Sequence, residues 1–220
     1  MNLGRPMLYA GILTAASFAI GAWAYVILPP DGTIAISWHG FDGAAHSAVP
    51  KLVGLAIMPL VALVVTASLS LAPLRARNLK GLVASAGSYG LLLISLAALF
   101  LVTQGALVER ALNPDFDVLR WVFMASAALL VLIGNTLGKV RHNDVFGVRT
   151  PWTLADPRVW DKTQRFTGRL MVVGALILAA FAGFLPDHAL LIATLVAVAA
   201  GPYIAGAAYS RAIAKETAAG

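Results

Sequence analysis

Two stretches of this 220-residue chain gather side chains able to do chemistry. The first runs from Pro29 to Lys51 and holds Trp38, His39, Asp42 and His46 among glycines. His39, Asp42 and His46 are residue types that ligate zinc. However, Gly40 and Gly43 interrupt the run and no fourth ligand lies nearby, so no metal is assigned. The expected use is recognition by an interfacial, hydrogen-bonded loop, with Trp38 and Phe41 suited to the headgroup layer. Alternation at Ile34, Ile36 and Trp38 predicts a short extended piece that ends in a glycine-rich turn.

The second stretch runs from Gly134 to Leu154 and continues to Trp160. Its candidate residues are Asn135, Asn143, Gly147, Arg149, Thr150, Pro151, Trp152 and Trp160. Pro151 restricts Thr150 to an extended backbone, and Gly147 permits a tight turn. Arg149, close to Trp152, is expected to stack on the indole or to grip a lipid phosphate bidentately. Simple anchoring to a membrane needs basic residues in no particular order. The density of Gly, Pro, Trp, Asn and Arg here exceeds that need and points to a formed site for a ligand or partner.

Catalysis finds little support. There are no cysteines, which excludes disulfides, thiolate zinc sites, iron–sulfur clusters and cysteine nucleophiles. The apolar stretches carry Ser17, Ser68, Ser85, Ser88, Ser95, Thr103, Gln104 and Asn135, but no His, Asp or Glu. Chemistry inside a bilayer needs a buried polar centre. Small hydroxyls in such helices ordinarily pack or bond to their own backbone. His188, beside Asp187, reads as a cap neighbour. The chain is therefore expected to be no enzyme and to hold no cofactor.

The elements that must position these residues are membrane helices. Mean hydropathy is +0.83, with 60% hydrophobic residues and only 12% charged. A soluble domain carries roughly 25% charged residues, so lipid must be the main solvent. Six apolar stretches carry no Lys, Arg, Asp or Glu apart from Arg120 at the start of the fourth: 7–28, 52–72, 82–108, 118–138, 170–185 and 190–209. Crossing a bilayer core takes roughly 20 residues. The first stretch is too long for a signal-peptide core and is read as a permanent helix. The fifth is short, and Asp156-Pro157 forms a good N-cap and first-position pair. Either one helix runs from Pro157 into the membrane, or a separate surface helix breaks at Gly168.

Orientation follows from the basic residues. With a cytoplasmic N-terminus, all but Lys51, Arg110 and Arg120 of the sixteen Lys and Arg fall on the inner side. Both termini are then cytoplasmic. The fold class is an all-α polytopic membrane protein with six transmembrane helices. Residues 1–80 form an N-terminal hairpin with an outer loop over 29–50. Residues 81–220 form a second domain with a cytoplasmic loop over 139–169.

The string Phe146-Gly147-Val148-Arg149-Thr150-Pro151-Trp152-Thr153-Leu154 is long and specific. Together with Gly134-Asn135, Lys139, Asn143, Trp160 and the run from Thr163 to Gly168, it closely resembles the SdpI family of bacterial membrane proteins. The segment from Leu28 through Trp38 to Lys51 and Met58-Pro59-Leu60 resembles the domain of unknown function that often precedes it. Ser37 and Gln164 stand where family members commonly carry His, so proton or metal chemistry is not expected there. The resemblance implies a multi-pass protein of the bacterial inner membrane that confers immunity to a secreted, membrane-active peptide toxin. It further implies a receptor that, when occupied, holds a transcriptional repressor at the membrane. The partners implied are membrane lipids, a peptide outside and a repressor inside, with no direct contact to nucleic acid. The competing reading is a small-molecule or ion transporter, because Pro59 and Pro202 would kink the second and sixth spans.

Overall fold

A computed structural model describes residues 3–30, 32–35, 48–185 and 187–219. Among them, six helices are long and apolar enough to cross a membrane. These are α1 (Gly4–Ile27), α2 (Lys51–Leu71), α4 (Ala86–Leu112), α5 (Val118–Leu137), α7 (Pro157–Phe184) and α8 (His188–Ala219). Two short helices, α3 (Leu79–Ala84) and α6 (Pro151–Ala155), sit in the connections. The outward faces are apolar: Val26 and Phe184 are 81% and 87% exposed. A surface of that kind is stable only against lipid.

Helices α1, α2 and α4 pack on one another, α5 packs on α7, and α7 packs on α8; α4 also contacts α5 and joins the two groups. The α5–α7–α8 group is filled by Phe123, Leu130, Met171, Leu178 and Leu191. The α1–α2–α4 group is closed at one end by Leu28, Ile34, Leu55 and Val108. Helices α5 and α7 cross through glycine. A Cβ on Gly134 would stand 2.8 Å from the Gly168 carbonyl oxygen, and a Cβ on Gly168 would strike the Gly134 carbonyl. Small residues let membrane helices approach this closely, because association there depends on packing rather than on exclusion of water.

Helix α2 contains Pro59, which cannot donate to the Leu55 carbonyl one turn back. Gln104 of α4, fully buried, supplies the missing donor: its Nε2 lies 3.1 Å from the Leu55 oxygen. Other spans use hydroxyls locally, as expected: Thr14 bonds the Ala10 carbonyl and Thr103 the Leu99 carbonyl, each at 2.9 Å.

At the end opposite the 138–156 segment, β1 (Thr33–Ala35) pairs antiparallel with β2 (Ala48–Pro50). The extended start of the first loop is thus present and has a partner strand. Trp38, His39, Asp42 and His46 lie outside the described residues. Lys51 follows β2 and donates to the Tyr25 and Leu28 carbonyls at 3.1 and 3.0 Å. A cation on the last carbonyls of α1 suits the negative end of the helix dipole.

The fifth span settles as one helix. Asp156 caps it, accepting from the Arg158 N–H at 2.7 Å, and α7 continues through Gly168 without a break. The third apolar stretch differs from expectation. Its first turns form α3, and a turn at Ser85 separates them from α4.

Candidate functional site: the folded platform over residues 138–164

The segment between α5 and α7 is a hydrogen-bonded platform. Asn143 organises its start from a fully buried position. Its Oδ1 accepts from the Val145 and Phe146 N–H groups at 2.8 and 3.0 Å, and its Nδ2 donates to the Arg141 carbonyl at 2.8 Å. This is the local turn chemistry that asparagine favours. The turn ends at Gly147, whose φ of 110° is open to glycine and strained for other residues. A Cβ there would also press on Gln164 Oε1 and the Trp160 ring, at 3.0 and 3.2 Å.

Thr150 then caps α6 reciprocally with Thr153. The Thr150 N–H donates to Thr153 Oγ1 at 2.8 Å, and the Thr153 N–H donates to Thr150 Oγ1 at 3.2 Å. Pro151 takes the first helical position, where its missing N–H costs nothing. Thr150 also meets Ser210 of α8 across 2.9 Å, which fixes the platform to the last span.

From below, α7 holds the platform through two buried side chains. Trp160 donates from Nε1 to the Val140 carbonyl at 2.8 Å and packs with Leu137, Val140 and Phe146. Gln164 grips Val148 at both backbone groups: Oε1 accepts its N–H at 3.0 Å and Nε2 donates to its carbonyl at 3.1 Å. Phe146 stands edge-on to Tyr89 of α4, with centroids 5.2 Å apart. The platform therefore contacts both helix groups.

From the side, the connection between α2 and α4 closes on it. Asn78 donates to the His142 carbonyl at 2.8 Å. His142 Nε2 lies 3.1 Å from the Leu154 carbonyl, so Nε2 carries the proton in this contact. Asp144 accepts from the Arg77 and Asn78 N–H groups at 2.8 and 3.1 Å. The Arg77 N–H is the main reason its carboxyl is held below the ordinary value of 3.8. The contact therefore persists above that lowered value and is lost as pH falls through it. In an acid titration followed by NMR, the Arg77 and Asn78 amide protons should shift with a midpoint below 3.8. A midpoint at or above it would mean that the carboxylate does not hold these amides.

The structure corrects one expected contact. Arg149 does not stack on Trp152. Its guanidinium donates to the Asp144 carbonyl at 2.6 Å, while Arg211 of α8 lies over the Trp152 ring at 5.9 Å. The Thr150–Pro151 entry into α6 sends the indole toward α8 and leaves Arg149 on the other side. There Arg149, Arg75, Asp144 and Ser68 line a cleft of about 320 Å³. Two exposed guanidinium groups face it, and the Asp144 carboxylate is already occupied by backbone N–H groups. The cleft is suited to an anionic group.

Asn143, Gly147, Thr150, Pro151 and Trp160 thus meet in one folded unit, with Arg149 and Trp152 on its surface. Asn135 stands apart on an exposed face of α5. Sequence reasoning missed Gln164, Thr153, Ser210, Asn78, His142 and Asp144 as parts of the unit. The usable signal was Gln164 one helical turn after Trp160, which places both on the same face of α7. His188, read as a cap neighbour, meets the carboxylate of Asp117, the N-cap of α5, at 3.3 Å. Among the described residues, no three His, Cys, Asp or Glu side chains gather as metal ligands.

Comparison with known proteins agrees with the motif. Residues 139–206 match the model of the SdpI/YfhL protein family. The chain is also similar to Immunity protein SdpI of Bacillus subtilis (strain 168), at 27% identity over 182 residues. That alignment covers 82% of this chain and 83% of the relative. No solved structure matches.

Proposed function

We propose that this SdpI-like membrane protein protects its bacterial host from a secreted, membrane-active peptide toxin. The observation that carries the reading is the likeness to an immunity protein along most of both chains, with the family match falling on the platform. The architecture is compatible: six spans, a loop at one end and a formed basic platform at the other leave little room for separate soluble chemistry. We place the protein in the cytoplasmic membrane with both termini inside, on the bias of its basic residues. The platform then faces the cytoplasm, and its Arg75–Arg149 cleft is where a repressor protein presents an acidic group.

The direct test is a growth challenge with candidate membrane-active peptides, with and without this gene. Cells carrying the gene are expected to need a higher peptide dose for the same inhibition. Equal sensitivity across cognate candidates would remove the immunity reading. Alanine at Arg149 or Trp152 tests the platform. Normal expression with lost protection or lost repressor recruitment is expected. Unchanged protection and recruitment would reduce the segment to an anchor.

A further inference from the structure

Helices α5 and α7 leave a second cleft, of about 450 Å³, that shares no lining residue with the Arg149 cleft. Its walls meet at the Gly134–Gly168 crossing. One end is lined by Lys139, Arg165, Arg169 and Asn135, and the other runs onto Val172 and Val173. Val173 is 58% exposed, so the groove opens toward lipid.

The charge in this cleft is uncompensated. Among the described residues, none of Lys139, Arg165 and Arg169 pairs with a carboxylate. Arg165 and Arg169 are four apart on one helix face, an arrangement that repels unless an anion lies between them. Asn135 is exposed on the last turns of a membrane span, and its amide has no partner among the described residues. An amide at the edge of hydrocarbon is costly unless it finds a hydrogen bond. Three cations and an amide at the mouth, followed by an apolar groove, match the two parts of one molecule class.

We propose that this groove binds one anionic phospholipid. Its phosphate lies among Lys139, Arg165 and Arg169, Asn135 donates to the headgroup, and an acyl chain follows the groove over Val172 and Val173. Basic pockets between membrane helices recognise anionic headgroups in this way. The glycines at the crossing supply the depth.

The test uses the full-length protein, purified in mild detergent and titrated with phosphatidylglycerol or phosphatidylcholine, with bound lipid counted by native mass spectrometry. The wild type is expected to retain phosphatidylglycerol over phosphatidylcholine. A variant carrying K139Q, R165Q and R169Q should lose at least about tenfold of that preference, since each cation near an anionic headgroup contributes roughly fivefold. A control carrying K80Q and R158Q, both exposed bases outside the groove, should keep it. Equal retention of the two lipids by the wild type would overturn the proposal. An equal loss in both variants would also overturn it, because bulk surface charge would then suffice. Excess soluble glycerol 3-phosphate should not displace the lipid; displacement at matched concentration would show a free-phosphate site instead. Unchanged far-ultraviolet circular dichroism accompanies the expected result, as all five replacements lie on exposed side chains.

Discussion

Replacing Trp160 with alanine is expected to destabilise the protein by about 3–5 kcal/mol, the usual range for removing a buried large aromatic. The ring is fully buried among Leu137, Val140 and Phe146, and it stands edge-on to His142 with centroids 5.3 Å apart. Its loss also leaves the Val140 carbonyl without the indole donor. W160F separates the two contributions, because it keeps most of the ring and removes the N–H. Its cost should be about 1–3 kcal/mol, the range for a buried polar group left unpaired. Unfolding in mixed micelles, read by circular dichroism, measures both. If W160A unfolds like the wild type, the platform is held by something other than this residue.

Substitution at Gly168 should act on the spans themselves. A single Cβ there strikes the Gly134 carbonyl, which is backbone and cannot turn aside as a side chain would. G168A is expected to cost about 1–3 kcal/mol, as overpacking does. G168L should separate α5 from α7 and greatly reduce the yield of folded protein. Gly183 on the same helix provides the control, since a Cβ there meets nothing within 4 Å. G183A should be neutral or slightly stabilising through helix propensity. Thermal unfolding of the set in one detergent decides the matter. Matching behaviour of G168A and G183A would show that the crossing is looser than described.

The spans were readable because a long run of almost wholly apolar residues has one physical use at that length. Their ends were less so. Helix α4 runs on through Glu109 and Arg110 to Leu112, since a helix need not stop where hydrocarbon does. The turn at Ser85 carries no Pro or Gly to announce it. Its hydroxyl instead receives the Arg141 N–H at 2.8 Å, a contact spanning 56 residues. Within the platform, Asn143, Gly147, Thr150 and Pro151 were legible because each acts on its own neighbours. Gln164, Ser210 and Asn78 act across 16, 60 and 64 residues, and composition does not encode such pairings. Arg149 and Trp152 misled for the opposite reason: closeness along the chain suggested a contact that the turn into α6 prevents.

The Gln104 amide above the Leu55 carbonyl has a consequence for how this pair of positions can change over generations. A lineage that first exchanges Pro59 for an ordinary residue regains the helix's own donor, after which Gln104 is free to drift to leucine. The reverse order strands a carbonyl in hydrocarbon before any remedy exists. The order of the two changes is thereby constrained, and chains lacking the glutamine should lack the proline too.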